Sequence, residues 1–209
     1  MRLSPVIVGV FLAVVALAIV LMFCGNKYSN SYYPYQKTYP FLNTLQENHE
    51  AFKKEVIYLQ STPWKSWPGN ENESIYPLYG NGYWVESHCN ECPNLYHAIS
   101  TMPRLKTAYF SKREKQERTI PASTYAFIGN KTLRCMYCFT GSGKINVEGE
   151  ERAIHEKEIL VYDHAKQNSF QNDHKTPQIV LILDFTRPSW VKEGNSSNLK
   201  GLSFMGHSF

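Results

Sequence analysis

The chain has 209 residues, of which 43% are hydrophobic and 14% aromatic, and its formal net charge is +4. This composition is typical of a globular protein and excludes an intrinsically disordered chain. The densest basic cluster, residues 112–118 (KREKQER), is interrupted by two Glu residues, so it indicates a solvated loop, and we predict no nucleic-acid partner. Fourteen Tyr and eleven Phe residues, set in short runs between Pro, Gly and Asn clusters, favour β structure.

An apolar segment lies near the N-terminus, from Val6 to Cys24. Its nineteen residues carry no charge, and as a helix they would be about 28 Å long, enough to cross the hydrocarbon core of a bilayer. A cleaved signal peptide is the alternative, but its apolar region typically has about 7 to 15 residues and ends in small residues. Because Leu21, Met22 and Phe23 close this segment, we expect an uncleaved signal anchor.

Three glycosylation sequons follow the expected anchor, at Asn72, Asn130 and Asn195. Each fits the pattern N-x-[ST] without a proline in the middle. They indicate a short cytoplasmic N-terminus and a domain in the lumen or outside the cell. We therefore expect a single-pass type II membrane glycoprotein.

The sequence divides into four segments of different character. Residues 1–26 are the N-terminus and anchor, residues 27–39 a Tyr- and Asn-rich stalk, residues 40–190 the domain, and residues 191–209 a flexible tail. Within the domain, Pro40 to Gln60 has apolar residues near helical spacing and predicts an amphipathic helix. The stretch from Trp64 to Trp84, rich in Pro and Gly, predicts a loop-rich lid over the core.

Three strand-like runs dominate the C-terminal half: Leu133 to Thr140, Glu158 to Asp163 and Gln178 to Phe185. The last is almost wholly apolar and rich in Ile, Val and Leu. Such a short run suits a strand buried on both faces or a barrel wall better than a helix. The sequence therefore predicts a mainly β domain whose core lies in these runs.

Four of the five cysteines form two CxxC pairs, Cys89 with Cys92 and Cys135 with Cys138. Two such pairs can make a zinc site, but residues three apart on a strand point to opposite faces, so Cys135 and Cys138 cannot both bind one metal. In an oxidising compartment, disulfides within or across the pairs are favoured. Buried free thiols, a zinc site and a redox module remain as alternatives.

Several short motifs occur in an order that resembles the aspartyl/asparaginyl β-hydroxylase family. The resemblance covers about Pro40 to Trp190 and implies a double-stranded β-helix, a cupin-like jelly roll with flanking helices. Members use iron and 2-oxoglutarate, and those in animals are type II membrane proteins with a lumenal domain. The motifs are residues 39–42 (YPFL), 92–93 (CP), 108–111 (AYFS), 133–135 (LRC), 158–163 (EILVYD), 180–184 (VLILD) and 187–188 (RP).

The chain departs from the family at both metal-binding positions that the resemblance implies. The first metal histidine is expected near Pro121, where Ala122 and Ser123 stand. Asn168 occupies the position of the second. Ferrous iron in such a site depends on imidazole donors, which neither Ala nor Asn supplies.

The other active-site positions that the resemblance implies, including the arginine that pairs with the 2-oxoglutarate carboxylate, also differ. Arg134 keeps its place in the family's LR-x-H motif, but Met136 replaces the histidine. Gln178 replaces the arginine that opens the last strand, and a Gln cannot form the charge-assisted bidentate pair that Arg makes with a carboxylate. Arg134, Met136, Asn168 and Gln178 would then line a polar cavity able to take an anion.

Other histidines do not restore the family's site in the sequence. No His lies between His97 and His155, and we expect His155, His164 and His174 to lie on the surface or in loops. The resemblance therefore predicts a membrane-anchored domain that has lost hydroxylase activity, needs no cofactor and acts by binding a protein or small ligand. An active Fe(II)- and 2-oxoglutarate-dependent dioxygenase with an atypical metal site, hydroxylating protein side chains, is the first alternative. A CxxC disulfide or zinc module is the second.

Overall fold

A computed structural model describes residues 29–67, 70–120, 126–172, 174 and 176–196, with the backbone alone for 70, 71, 116–120 and 126–128. No helix in these residues is long and apolar enough to cross a membrane. The expected anchor, Val6 to Cys24, lies outside the described residues, as do Ala122 and Ser123.

Twelve strands and six α-helices are present in the described residues. The helices are α1 (Tyr35–Thr38), α2 (Asn43–Glu47), α3 (His49–Leu59), α4 (Glu86–Asn90), α5 (Pro93–Ser100) and α6 (Ala126–Lys131), with a 3-10 turn at Pro40–Leu42. The strands are β1 (Tyr32–Tyr33), β2 (Lys65–Trp67), β3 (Asn70–Gly80), β4 (Tyr83–Trp84), β5 (Leu105–Arg113), β6 (Gln116–Ile120), β7 (Thr132–Thr140), β8 (Ser142–Val147), β9 (Glu150–His155), β10 (Ile159–Tyr162), β11 (Asn168–Asn172) and β12 (Gln178–Thr186).

The strands form two antiparallel sheets. The larger sheet has the order β1-β10-β7-β12-β5-β3-β2, with β4 paired to β3, and the smaller has the order β6-β11-β8-β9. From β5 to β12 the chain crosses between the sheets at each step except the β8–β9 hairpin. This strand order is that of a jelly roll, the architecture of cupins, and it confirms the mainly β prediction.

Strands β7 and β12 lie in the middle of the larger sheet, and both are buried along nearly their whole length. Two-sided burial explains why their sequences are mostly apolar runs, interrupted by Arg134 and Asp184, and not alternating ones. On β12, Leu181, Leu183 and Phe185 are fully buried on the face away from the barrel. The three strand runs predicted from the sequence are confirmed, with ends that differ by at most one residue.

Helix α3 covers the outer face of the larger sheet. Its Phe52, Val56 and Leu59 are buried at the i, i+4, i+7 spacing of one helix face. The His49 ring stacks on Phe139, with the ring centres 5.9 Å apart, and its Nδ1 is 2.7 Å from the Tyr137 hydroxyl. The predicted helix is therefore present, divided into the 3-10 turn, α2 and α3.

The predicted stalk is part of the fold from residue 30 onward. Tyr32 and Tyr33 form β1, which pairs with Tyr162 and Val161 at the edge of the larger sheet. Both tyrosines are buried, and so is Tyr39. The aromatic residues of this segment bury apolar surface that a solvated stalk would leave exposed.

The predicted loop-rich lid between Trp64 and Trp84 is wrong, because the segment consists of β2, β3 and β4. The eleven-residue strand β3 pairs with β5 from Glu73 to Tyr79. The register shifts after Pro77, and such an irregularity accommodates a residue without an N–H. Asn81 and Gly82 both have positive φ, as a two-residue hairpin turn requires.

The contacts divide the chain into two units, and the larger comprises residues 30–187 and 193–209. All of the strands described above belong to it. The described residues of the smaller unit are Ser29 and 188–192, in which the Val191 amide donates a hydrogen bond to the Pro188 carbonyl.

The structure holds Cys89, Cys92, Cys135 and Cys138 as buried free thiols in place of the favoured disulfides. Cys138 belongs to the barrel interior, whereas Cys135, three residues earlier on β7, points to the other face, so these two cannot bond to each other. Burial raises the pKa of every one of the four thiols, to about 11 for Cys89 and about 12 for Cys138, which keeps them protonated and unreactive.

Candidate functional site

The interior of the barrel combines an apolar centre with buried charges. Side chains alternate along each strand, so every second residue of β5, β7, β11 and β12 points between the two sheets. The apolar part of this interior includes Tyr109, Met136, Ile145, Tyr162, Phe170, Val180 and Ile182. Charged groups lie at two separate places among them.

The first buried charge pair joins Arg134 of β7 to Asp184 of β12, which lie opposite each other in the sheet. Arg134 Nε donates to Asp184 Oδ1 at 2.8 Å, and Nη2 donates to Oδ2 at 2.9 Å. The Thr107 hydroxyl donates to the same Oδ2 at 2.6 Å. This bidentate geometry, with both partners almost fully buried, is the strong form of an Arg–carboxylate pair.

The pair shifts the pKa of both its members. Burial opposes ionisation of Arg134, but the Asp184 carboxylate offsets it and raises the guanidinium pKa well above its usual value. Burial also acts to raise the pKa of Asp184, yet the Arg134 charge and hydrogen bonds lower it to about 2. Both groups therefore remain charged over the whole physiological range.

His164, in the turn after β10, is buried beside this pair. Its Nε2 is 2.9 Å from the Thr132 hydroxyl and 4.0 Å from Asp184 Oδ1, while Nδ1 has no hydrogen-bond partner among the described residues. Burial and the Arg134 charge lower the pKa of His164 to about 3, so the imidazole is neutral. His155 and His174 are exposed, as expected, and His164 lies in a loop, as expected, but is buried there and not at the surface.

The second buried pair joins Arg113 of β5 to Glu73 of β3. Arg113 Nε lies 3.2 Å from Glu73 Oε1 and 3.0 Å from the Ser111 hydroxyl. The guanidinium covers the Phe170 ring at 4.0 Å, and its Nη1 is 3.7 Å from Met136 Sδ. Met136, at the position of the family's LR-x-H histidine, therefore packs against a cation.

The structure does not bring the four predicted pocket residues together in one cavity. Arg134 lies opposite Asp184, whereas Gln178 begins the same strand six residues earlier, a separation of about 20 Å along β12. Gln178 lies opposite Arg113, and its Nε2 is 3.6 Å from Cys138 Sγ. Asn168 Nδ2 donates to the Lys166 carbonyl at 2.8 Å.

An open cavity of about 490 Å³ lies instead at the end of the barrel near Arg134. We call it the mouth pocket. Thr107, Thr132 and Thr186, at neighbouring ends of β5, β7 and β12, belong to it, and the β3–β4 turn flanks it. Its lining residues are Tyr79, Asn81, Gly82, Lys106, Thr107, Lys131, Thr132 and Thr186.

Residues 42–188 match the family described as aspartyl/asparaginyl beta-hydroxylase, a match that spans most of the chain and all but the first strand of the fold. The chain belongs to the aspartyl/asparaginyl β-hydroxylase family. The resemblance of the short motifs from residue 39 to residue 188 is thereby confirmed.

This hydroxylase-family domain is similar in sequence to the ornithine lipid ester-linked acyl 2-hydroxylase of Rhizobium tropici. The two are 25% identical over 158 residues, which cover 73% of this chain and 56% of the relative. The chain thus spans little more than half the length of that relative.

Solved structures with distant similarity include three proteins whose TM-scores are near 0.4. The strand order given above, and not these scores, carries the jelly-roll assignment. The structures are the cupin domain of Schizosaccharomyces pombe Cnp3 (10% identity, 61% of this chain, 71% of that chain, TM-score 0.41), KdgF from Halomonas sp. (12%, 62%, 91%, 0.40) and Clostridium difficile EutQ (12%, 68%, 84%, 0.40).

Iron and 2-oxoglutarate are the groups that the hydroxylase family implies, and the described residues do not fit them. No three His, Cys, Asp or Glu side chains converge in the described part of the chain. His164 and Asp184 are neighbours, but Asp184 is held by the Arg134 cation, which repels a metal ion. Asn168 offers an amide where the family places imidazole, and Met136 a thioether, a soft ligand poorly suited to ferrous iron.

Sequence reasoning missed Glu73, Arg113 and His164 as buried polar residues. Arg113 and Ser111 share the face of Tyr109 at every second position of β5, so strand alternation could have found them. The burial of Glu73 could not be predicted in this way, because its strand has the composition of a loop. The partner of Asp184 could not be predicted either, since a sequence does not show which strands are neighbours.

Proposed function

We propose that the protein is a membrane-attached, non-catalytic member of the family, which needs neither iron nor 2-oxoglutarate and acts by binding a ligand at the mouth of its barrel. The observation that carries the proposal is the buried, bidentate pair between Arg134 and Asp184. Arg134 is the active-site residue that keeps its place in the family's LR-x-H motif, and it is the remaining arginine that could pair with a cosubstrate carboxylate there. Its Nε and Nη2 donate hydrogen bonds to Asp184, a carboxylate of the protein itself.

A cosubstrate would have to displace Asp184 to reach this arginine. Separating a buried ion pair leaves a carboxylate uncompensated, which costs several kcal/mol. A ligand carboxylate would also lose its own hydration, whereas Asp184 is already in place. The other positions offer no substitute, because Gln178 carries no charge and Met136 no donor.

The proposal predicts that the full chain in mild detergent does not turn over 2-oxoglutarate. With Fe(II), ascorbate and oxygen we expect succinate formation equal to that of heat-denatured chain, measured by mass spectrometry. Because the family name refers to aspartyl and asparaginyl residues and the relative's name to a lipid acyl chain, peptides and an ester-linked acyl lipid are added as acceptors. Iron-dependent succinate in any of these mixtures would favour the active-dioxygenase alternative and refute the proposal.

Attachment to the membrane through Val6 to Cys24, with the domain in the lumen or outside the cell, is the second part of the proposal. Asn72 and Asn195 are exposed, as N-glycosylation requires. The Asn130 amide is already used, because it exchanges hydrogen bonds with the Ser196 backbone at 2.9 and 3.0 Å.

In a host that glycosylates proteins, we expect N-glycan removal to lower the mass of the membrane-bound chain. The replacements Asn72→Gln and Asn195→Gln should each abolish part of this shift. The measurement is gel mobility before and after glycosidase treatment. A chain without any shift would contradict the proposed orientation.

A further inference from the structure

The mouth pocket has the size and wall structure of a small-molecule site. Its volume of about 490 Å³ lies within the range of pockets that hold small ligands. Tyr79 lines it, and the centre of the Tyr79 ring is 4.6 Å from that of Trp84. Trp84 in turn contacts Tyr96 edge-on, with the ring centres 5.0 Å apart. This aromatic series fixes one wall, and a rigid wall lowers the entropy cost of binding.

All charges in the lining of the mouth pocket are positive. Lys106 and Lys131 are its charged residues, and no carboxylate of the described part of the chain lines it. Asp184 accepts a hydrogen bond from the lining residue Thr107, but Arg134 offsets its negative charge. The pocket therefore attracts anions.

The two lysines differ in their local partners. Lys131 Nζ lies 2.7 Å from Glu193 Oε2, in an exposed ion pair. Lys106 is exposed, and no carboxylate is within ion-pair distance of it among the described residues. Lys106 should then contribute more to anion binding, and Glu193 should compete with an anion for Lys131.

We infer that the mouth pocket binds a small organic anion, a carboxylate or phosphate group on a compact aromatic body, with Lys106 and Lys131 as its counter-charges and Tyr79 as its apolar wall. The inference rests on the proposed function, since it names the ligand class of that binding site. Arg113 and Arg134 in the barrel interior take no part, because each is paired with a carboxylate of the protein.

The test is a calorimetric titration of the full chain in detergent, without iron, against phenyl phosphate, benzoate and the neutral benzamide. At low salt we expect binding of at least one anion and none of benzamide. Because an exposed ion pair is worth at most about 1 kcal/mol, Lys106→Gln should weaken binding roughly three- to fivefold. Raising the salt concentration should weaken it as well.

Two further variants sharpen the test. Glu193→Gln should tighten binding about twofold by releasing Lys131, an effect that general damage to the fold would not produce. Lys144→Gln, on β8, removes a partly exposed cation that pairs with Glu151 and lies outside the mouth pocket, and it should leave affinity unchanged.

Equal affinity in wild type and Lys106→Gln, equal binding of benzamide, or no anion binding by the folded chain would each overturn the inference. Succinate formation decides the proposed function separately. A chain that binds the anions and also turns over 2-oxoglutarate would refute only the claim of a non-catalytic protein. The two anionic probes distinguish a phosphate from a carboxylate preference.

Discussion

Asp184→Asn is expected to destabilise the domain by about 3–5 kcal/mol, the usual cost of leaving one member of a buried ion pair without its partner. Arg134 is buried and cannot lose its proton, so the variant would hold an uncompensated guanidinium inside the barrel. The Thr107 hydroxyl would also lose an ionised acceptor. A loss of this size is a large part of the total stability of an ordinary domain.

A double-mutant cycle separates the charge effect from packing. Replacing both partners, as in Arg134→Met with Asp184→Asn, removes the buried charge and should be less destabilising than the sum of the single changes. Glu151→Gln breaks an exposed ion pair with Lys144 and serves as the matched control, with a loss of about 1 kcal/mol or less.

Urea unfolding of the full chain in detergent, followed by tryptophan fluorescence, measures these differences in free energy. If Asp184→Asn lost no more stability than the Glu151→Gln control, the buried pair would not have the role assigned to it. The same result would weaken the proposed function, because a cosubstrate could then displace Asp184 at little cost.

Much of the frame of the barrel was predictable from local sequence, because β7 and β12 are mostly apolar runs. Strand β3 was not, because polar residues fill its first half and Pro77 lies within it. Its place in the sheet comes from pairing with β5, in which Ile75 lies opposite Ser111 and Tyr76 opposite Phe110. Tertiary contacts of this kind override local propensity.

The chemistry of the interior was predictable only in part. The motif gave the position of Arg134 but not its partner, because Asp184 is fifty residues away in sequence and becomes a neighbour only through strand pairing. The mouth pocket depends on the ends of three strands and one hairpin turn. None of its lysines or threonines stands out in the sequence, since their importance comes from this convergence.

His164 should make the domain sensitive to acid well above the pH at which the buried carboxyl group of Asp184 titrates. Its pKa in the folded chain is lowered to about 3, whereas an unfolded histidine titrates near about 6.5. Between these values the unfolded state binds a proton that the folded state does not, so stability falls as the pH decreases. The stability contributed by the neutral His164 is fully present above about pH 6.5. At pH 4.5 about 3 kcal/mol of the free energy of unfolding is lost.

The groups around His164 explain this asymmetry. Burial is the largest cause of the lowered pKa of His164, and Arg134 and Arg187 also disfavour a charged imidazole. Asp184 acts in the opposite direction, but its charge is offset by Arg134. Asp184 itself stays ionised in this window, because its pKa is lowered to about 2. Its contribution to acid sensitivity begins only below about pH 4, near the pKa of an unfolded aspartate.

Free energies of unfolding at pH 7.5 and pH 4.5, in wild type and His164→Asn, test this origin of the pH dependence. The variant should be less stable at pH 7.5, since it loses the contact with the Thr132 hydroxyl, but its stability should fall less between the two pH values. An equal fall in both proteins would assign the acid sensitivity to other groups. A smaller fall in the variant would establish that one neutral, buried histidine beside the Arg134–Asp184 pair sets the acid limit of the barrel.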